Sequence, residues 1–381
     1  MSLASILPAL CPNVKSLDVR SLDKSLVSLV GCPVTLQQLL CSGTRVADLG
    51  PLAACTGLQA LLCADTRVAD LGPLADCTEL QTLDCSHTLV TDLDLLLAAC
   101  TRLQSLDCSY THVTQLGSLQ AAFSGLQCLH CDFTQIADLG PLTACTGLLS
   151  LHCAYTPVSD LGPLAACSGL RSLQCNSTRV SDLGPLASCT GLLSLHCEVT
   201  EVADLCPLAA CTRLTTLDFQ DTKVVSLGPL APCTGLQSLN FNSTKVEDLG
   251  PLTSLTRLQT LGCHRTRVSD LGPLEACTEL RTFHCSFSRV LDLAPLSACR
   301  ELRTLDCDQT GVSDLSPIAA CTHLQNLFCN DSRVADLGPL AACTALMCLE
   351  CDKRVPLEQV RVLRATCPGV MVRWGLAPVF E

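Results

Sequence analysis

From residue 36 onward the chain repeats one short alternation of apolar and polar positions. A clear copy is Leu58 to Thr66, LQALLCADT, which reads L-x-x-L-x-C-x-x-T and runs straight into RVADLGPLADCT. Side chains alternate sides along a strand, so Leu58, Leu61 and Cys63 are predicted to point inward and Ala60, Leu62 and Ala64 outward. Val68, Leu71 and Leu74 are predicted to turn inward on the return path. Asp70 precedes the segment D-L-G-P-L, where its carboxylate can accept from free backbone N–H groups at the start of a helical turn. Glycine and proline keep that turn short, nearer 3₁₀ than α. The hydroxyl of Thr66 is placed to bond the backbone where the chain turns.

The same text returns every 22 residues, with serine replacing the threonine at Ser288 and Ser332. Fifteen copies follow one another, their strands opening at Leu36, Leu58, Leu80 and so on to Leu346. Thr88 to Thr111 and Thr111 to Thr134 are each spaced by 23 residues, and both units lack the Gly-Pro turn. The extra residue predicts a fuller helical turn and a local change of curvature there. Residues 1–35 read as an N-terminal cap, with a short helix over Leu3 to Leu10 and a degenerate strand over Val14 to Val19. Repeat arrays need such caps because an end unit otherwise exposes its apolar edge. Residues 36–352 are the repeats. Residues 353–381 read as a C-terminal cap, with a helix opening at Pro356 and a strand over Val370 to Trp374. No linker interrupts the array, so a single structural domain is expected.

Hydrophobic residues make up 48% of the chain but aromatics only 3%, which fits a narrow core of Leu, Val, Ala and Cys. Thirteen of the 31 cysteines occupy the strand site and thirteen the site before T-G-L or its equivalent. Phe219 and Phe241 replace the first, and Leu255 the second, so the thiol stands in for a small hydrophobe. That load of free thiols predicts a reducing, cytoplasmic compartment. The cysteines follow the register of the repeat and its small apolar sites, so no metal or cofactor is expected. The net charge of −12 disfavours nucleic acid. No run approaches the roughly 18 apolar residues of a membrane span, so no membrane insertion is expected. The first residues, broken by Pro8 and Pro12, read as cap rather than leader.

The pattern V-x-D-L-x-P-L-x-x-(C/L)-T-x-L, with its L-x-x-L-x-(L/C) strand, has the signature of leucine-rich repeats. It resembles the 22-residue repeats of the internalin family and of the phosphatase-1 regulatory subunits. In its two cysteine sites and its threonine it resembles the cysteine-bearing leucine-rich-repeat proteins of kinetoplastid protozoa. The resemblance covers roughly residues 34–352. It implies an α/β solenoid, right-handed and curved, with a concave parallel β-sheet and short 3₁₀ or turn segments on the convex side. It also implies use in binding proteins.

Positions shared by every unit serve the scaffold, so function is sought where units differ. On the predicted concave face, the pre-threonine site carries His87, Tyr110, Phe133 and Tyr155 in adjacent units. Asp84, Asp107, His130 and His152 run alongside at the strand site. Both tyrosines of the chain fall in this one stripe. Exposed aromatics beside polar groups have the composition of a protein-binding hot spot, and stacking that merely firms the sheet is the plainer alternative. A second, weaker patch is expected near Phe287 and Phe328. Arg or Lys after the threonine and Asp three residues later are read as a solvated ladder of opposite charges. The concave histidines, His196 among them, are read as polar surface.

No G-x-S-x-G, phosphate loop or H-E-x-x-H is present, so no catalytic residues and no enzyme are expected. The reading is a protein-interaction scaffold, monomeric on its own, binding another protein on the concave face. The alternatives are a phosphatase regulatory subunit and a structural subunit of a cytoskeletal or flagellar assembly.

Overall fold

A computed structural model describes residues 13–21, 29, 32–117, 125–375 and 377–378. The helix expected over Leu3 to Leu10 lies outside them. The chain divides into two compact units, Met1–Leu192 and Leu193–Glu381.

In the first unit the strands are β1 (Ser16–Asp18), β2 (Gln38–Leu40), β3 (Ala60–Leu62), β4 (Thr82–Asp84), β5 (Ser105–Asp107), β6 (Cys128–His130), β7 (Ser150–His152) and β8 (Ser172–Gln174). Each pairs in parallel with the next, and equivalent residues align, Leu61 with Leu83 and Leu129 with Leu151. The second unit repeats the arrangement with β9 (Ser194–His196), β10 (Thr216–Asp218), β11 (Ser238–Asn240), β12 (Thr260–Gly262), β13 (Thr282–His284), β14 (Thr304–Asp306), β15 (Asn326–Cys329), β16 (Cys348–Cys351) and β17 (Met371–Trp374). It closes with β18 (Ala377–Pro378), antiparallel to β17. In both units this is the expected leucine-rich-repeat solenoid.

The return path is the expected short 3₁₀ turn, as at Gly72–Asp76 and Gly184–Ser188, each opening on Gly-Pro. Asp70 and Asp182 accept from the N–H two residues on, at 2.7 Å. Where Gly-Pro is missing, helix α1 (Asp94–Ala99) replaces the turn, as the extra residue predicted. Most of the equivalent segment in the next unit, residues 118–124, lies outside the described residues. Helix α2 (Leu357–Thr366) starts after Pro356 and buries Val360 and Leu363.

Leu58, Leu61, Cys63, Val68, Leu71 and Leu74 are all buried. Emptying such a site, Leu151→Ala for example, costs roughly 2–5 kcal/mol, because neighbours on both sides are fixed by the same repeat. The threonines are buried as well, and their hydroxyls donate to the carbonyl three residues back, Thr66 to Cys63 at 2.6 Å. This ties down the chain as it leaves the strand. The residue just before lies in the left-handed region in unit after unit, with φ 53° at Asp65 and 56° at Val199.

Burial raises the pKa of core thiols such as Cys77, up to about 12. They spend their weak donors on carbonyls, as Cys85 Sγ does on Asp107 O at 3.3 Å. The ladder of opposite charges does not form. Asp48, Asp70, Asp182, Asp248, Asp270, Asp292 and Asp336 face backbone N–H groups at 2.7–2.8 Å. Among the described residues none of them pairs with the basic row, and Lys223 turns to Glu201 instead. A nearby N–H fixes each carboxylate more firmly than a solvated cation on a long stem could.

Candidate functional site

The left-handed position aims its side chain out of the sheet. Four such positions in the first unit carry rings: His87, Tyr110, Phe133 and Tyr155, with φ between 53° and 56°. Since the backbone repeats at the spacing of paired strands, about 4.8 Å, neighbouring rings come face to face. His87 and Tyr110 stack at 4.1 Å between centroids, Tyr110 and Phe133 at 4.3 Å, and Phe133 and Tyr155 at 4.2 Å. The outer face of the stack stays open, with Tyr110, Phe133 and Tyr155 exposed by 45%, 40% and 51%.

The strand row lies alongside as predicted. Asp84, Asp107, His130 and His152 are cross-strand partners in that order. The rings of His130 and His152 stack at 4.1 Å. His130 Nδ1 lies 3.5 Å from Asp107 Oδ2. The bond to Asp107 raises the His130 pKa against the opposing effect of burial. Burial works to raise the Asp107 pKa, but bonds from His130 and Ser109 outweigh it and leave it lowered. The eight predicted residues therefore come together as one surface of aromatic rings edged by a row of carboxylates and imidazoles. In the second unit Phe287 packs edge-on against His264 and under the Arg265 guanidinium, and Phe328 sits on β15, paired with Asp306 and Glu350.

Sequence reasoning missed a third row, the residue between strand cysteine and left-handed position. It holds Asp132, Glu198, His264, Ser286 and Asp308. These side chains are half-buried or buried between the other two rows, so desolvation dominates them. It raises Asp132, lifts Asp308 to about 6 and lifts Glu198 to about 7. The alternation that placed Ala64 outward was the signal that could have found the row. Its one triad-like set is not arranged for nucleophilic chemistry. Ser286 Oγ donates to Asp306 Oδ2 at 2.7 Å, so His264 Nδ1, 2.7 Å from that hydroxyl, can only donate to it. An imidazole in that role takes no proton from the serine.

Comparison with known proteins agrees with this architecture. The family model for leucine-rich repeats, in two copies, matches residues 78–121. Among solved structures, an internalin of Listeria monocytogenes is 25% identical with a TM-score of 0.68, over 81% of this chain and 84% of that one. A leucine-rich-repeat protein of Leptospira interrogans is 17% identical with a TM-score of 0.88, over 98% of both chains. A plant peptide hormone receptor, solved in complex with RGF2, is 14% identical with a TM-score of 0.70, over 89% of this chain and 62% of that one. No curated protein matches the sequence. The fold and the repeat together define a leucine-rich-repeat protein. Its repeats resemble those of the internalins.

Proposed function

We propose that the chain is a protein-interaction scaffold with no reaction of its own, and that it grips another protein on the strand face of the first unit. The observation that carries this reading is the open stack of His87, Tyr110, Phe133 and Tyr155. Core sites are already filled by Leu and Cys, so the rings are not needed to close the interior. Stacked on one another, the rings have little side-chain freedom left to lose on association. Aromatic anchors beside charged groups are the usual make-up of a binding hot spot. The plant receptor shows the same fold holding a ligand. The acidic balance of the chain favours a protein over a nucleic acid as partner. The free, buried thiols fit a reducing, cytoplasmic setting.

The test is affinity purification with mass spectrometry, comparing wild type with a Tyr110→Ala/Phe133→Ala/Tyr155→Ala variant whose fold is checked by circular dichroism. Specific partners should disappear with the three rings. An unchanged partner set from a folded variant would reduce the stack to scaffold.

A further inference from the structure

In the second unit, β9 ends on His196, the third row follows with Glu198, and β10 ends on Asp218, the cross-strand partner of His196. One ligand atom from each, an imidazole nitrogen and two carboxylate oxygens, lies within 4.8 Å of the others. Glu198 Oε2 is buried and has no hydrogen-bond partner, alone in this among the buried side-chain nitrogens and oxygens of the described residues. His196 Nδ1 is 4.0 Å away, too far for a hydrogen bond. A buried carboxylate oxygen left without a donor is costly. Here the neighbouring groups are further acceptors or a ring nitrogen, and a cation satisfies all three at once.

We propose that His196, Glu198 and Asp218 form a binding site for one first-row divalent cation, with waters completing its coordination. The donor set of one imidazole and two carboxylates suits borderline and harder ions of that row, manganese and zinc included. Asp218 is already oriented from behind. Its Oδ1 accepts from the Gln220 N–H at 3.1 Å and its Oδ2 from Asn240 Nδ2 at 2.8 Å. Such supporting bonds hold a ligating carboxylate in place. The side chains of His196 and Glu198 are 30% and 18% exposed, which leaves a path for an ion and its remaining waters. Metal–ligand bonds of about 2.0–2.2 Å put neighbouring donors about 3 Å apart. The site therefore closes by up to about 2 Å on binding, within the reach of side-chain rotation.

The experiment is titration of the full chain with Mn²⁺, an ion with little appetite for thiols, following the loss of the free-ion electron paramagnetic resonance signal. Anomalous scattering from a manganese-soaked crystal locates the ion. One Mn²⁺ per chain is expected between these three side chains. Glu198→Gln and, separately, His196→Asn should each weaken binding at least tenfold, while Glu201→Gln, the exposed neighbour paired with Lys223, should leave it unchanged. The proposal is overturned by absence of binding below millimolar ion, by a manganese peak elsewhere, or by folded Glu198→Gln protein that binds like wild type.

Discussion

Replacing Asp308 by asparagine should make the protein more stable at neutral pH, and by an amount that depends on pH. Asp308 is half-buried in the third row. Desolvation, offset in part by the N–H of Asn330 and reinforced by the charges of Asp306 and Glu350, lifts its pKa from 3.8 to about 6. The folded chain thus holds this proton more tightly than the unfolded one. Between pH 3.8 and about 6 stability falls as pH rises, and above that window the full cost is present. Two pKa units correspond to a ceiling of about 3 kcal/mol. Solvent reaches part of the group, and screening reduces the realised cost to about 1 kcal/mol. Asparagine keeps the shape, and its carbonyl oxygen can still accept from Asn330 N–H, now at 2.5 Å from Asp308 Oδ1. For a unit of this size the gain is about 2–4 °C in Tm at pH 7.5, shrinking toward nothing near pH 4. Thermal melts of both proteins at the two pH values, followed by circular dichroism, decide it. A lower melting point for Asp308→Asn at pH 7.5, or an equal gain at both pH values, would refute the desolvation argument and point to packing.

Val199→Asn should stabilise by about 1 kcal/mol, because a β-branched residue at φ 56° is strained where asparagine is tolerated; urea melts in EDTA measure it. Thr134→Val, similar in volume and fully buried, removes the donor to Cys131 O at 2.7 Å. A loss of about 1–3 kcal/mol is expected from the carbonyl left unpaired, read as a lower midpoint in urea. Asp107→Asn should lower the His130 pKa in an NMR titration, since the bond to Asp107 is what raises it. In wild type that bond supports the fold below the ordinary imidazole pKa, and the support fades as pH climbs through the raised value.

The period, strands, short turns and inward positions were all legible because each follows from local rules repeated many times. Leu61, Cys63 and Leu74 are buried in the structure for the same alternation that marks them in the text. The stack from His87 to Tyr155 was legible for a related reason: equal register carries equal positions to adjacent places. Other features depend on competition between partners. The sequence offers Asp70 both the basic Arg67 and the free N–H groups of the turn, and in the structure the N–H of Gly72 takes it. Glu198 was missed because its meaning comes from Asp218 in the next repeat and from burial between two rows, neither visible in its own repeat.

The thiols lead to one last consequence. Folded, most of them are buried, and burial raises the pKa of Cys167 to about 11 and of Cys85 well above the usual value. A thiolate is the species that attacks, so the native fold acts as a protecting group for its own cysteines. Once the array opens, the same residues become a dense run of ordinary thiols on a flexible chain, and any oxidant can stitch them at random. Survival of the native form in air is then governed by how rarely it opens rather than by how favourable folding is. Melts of this protein should retrace themselves on cooling only in the presence of a reductant.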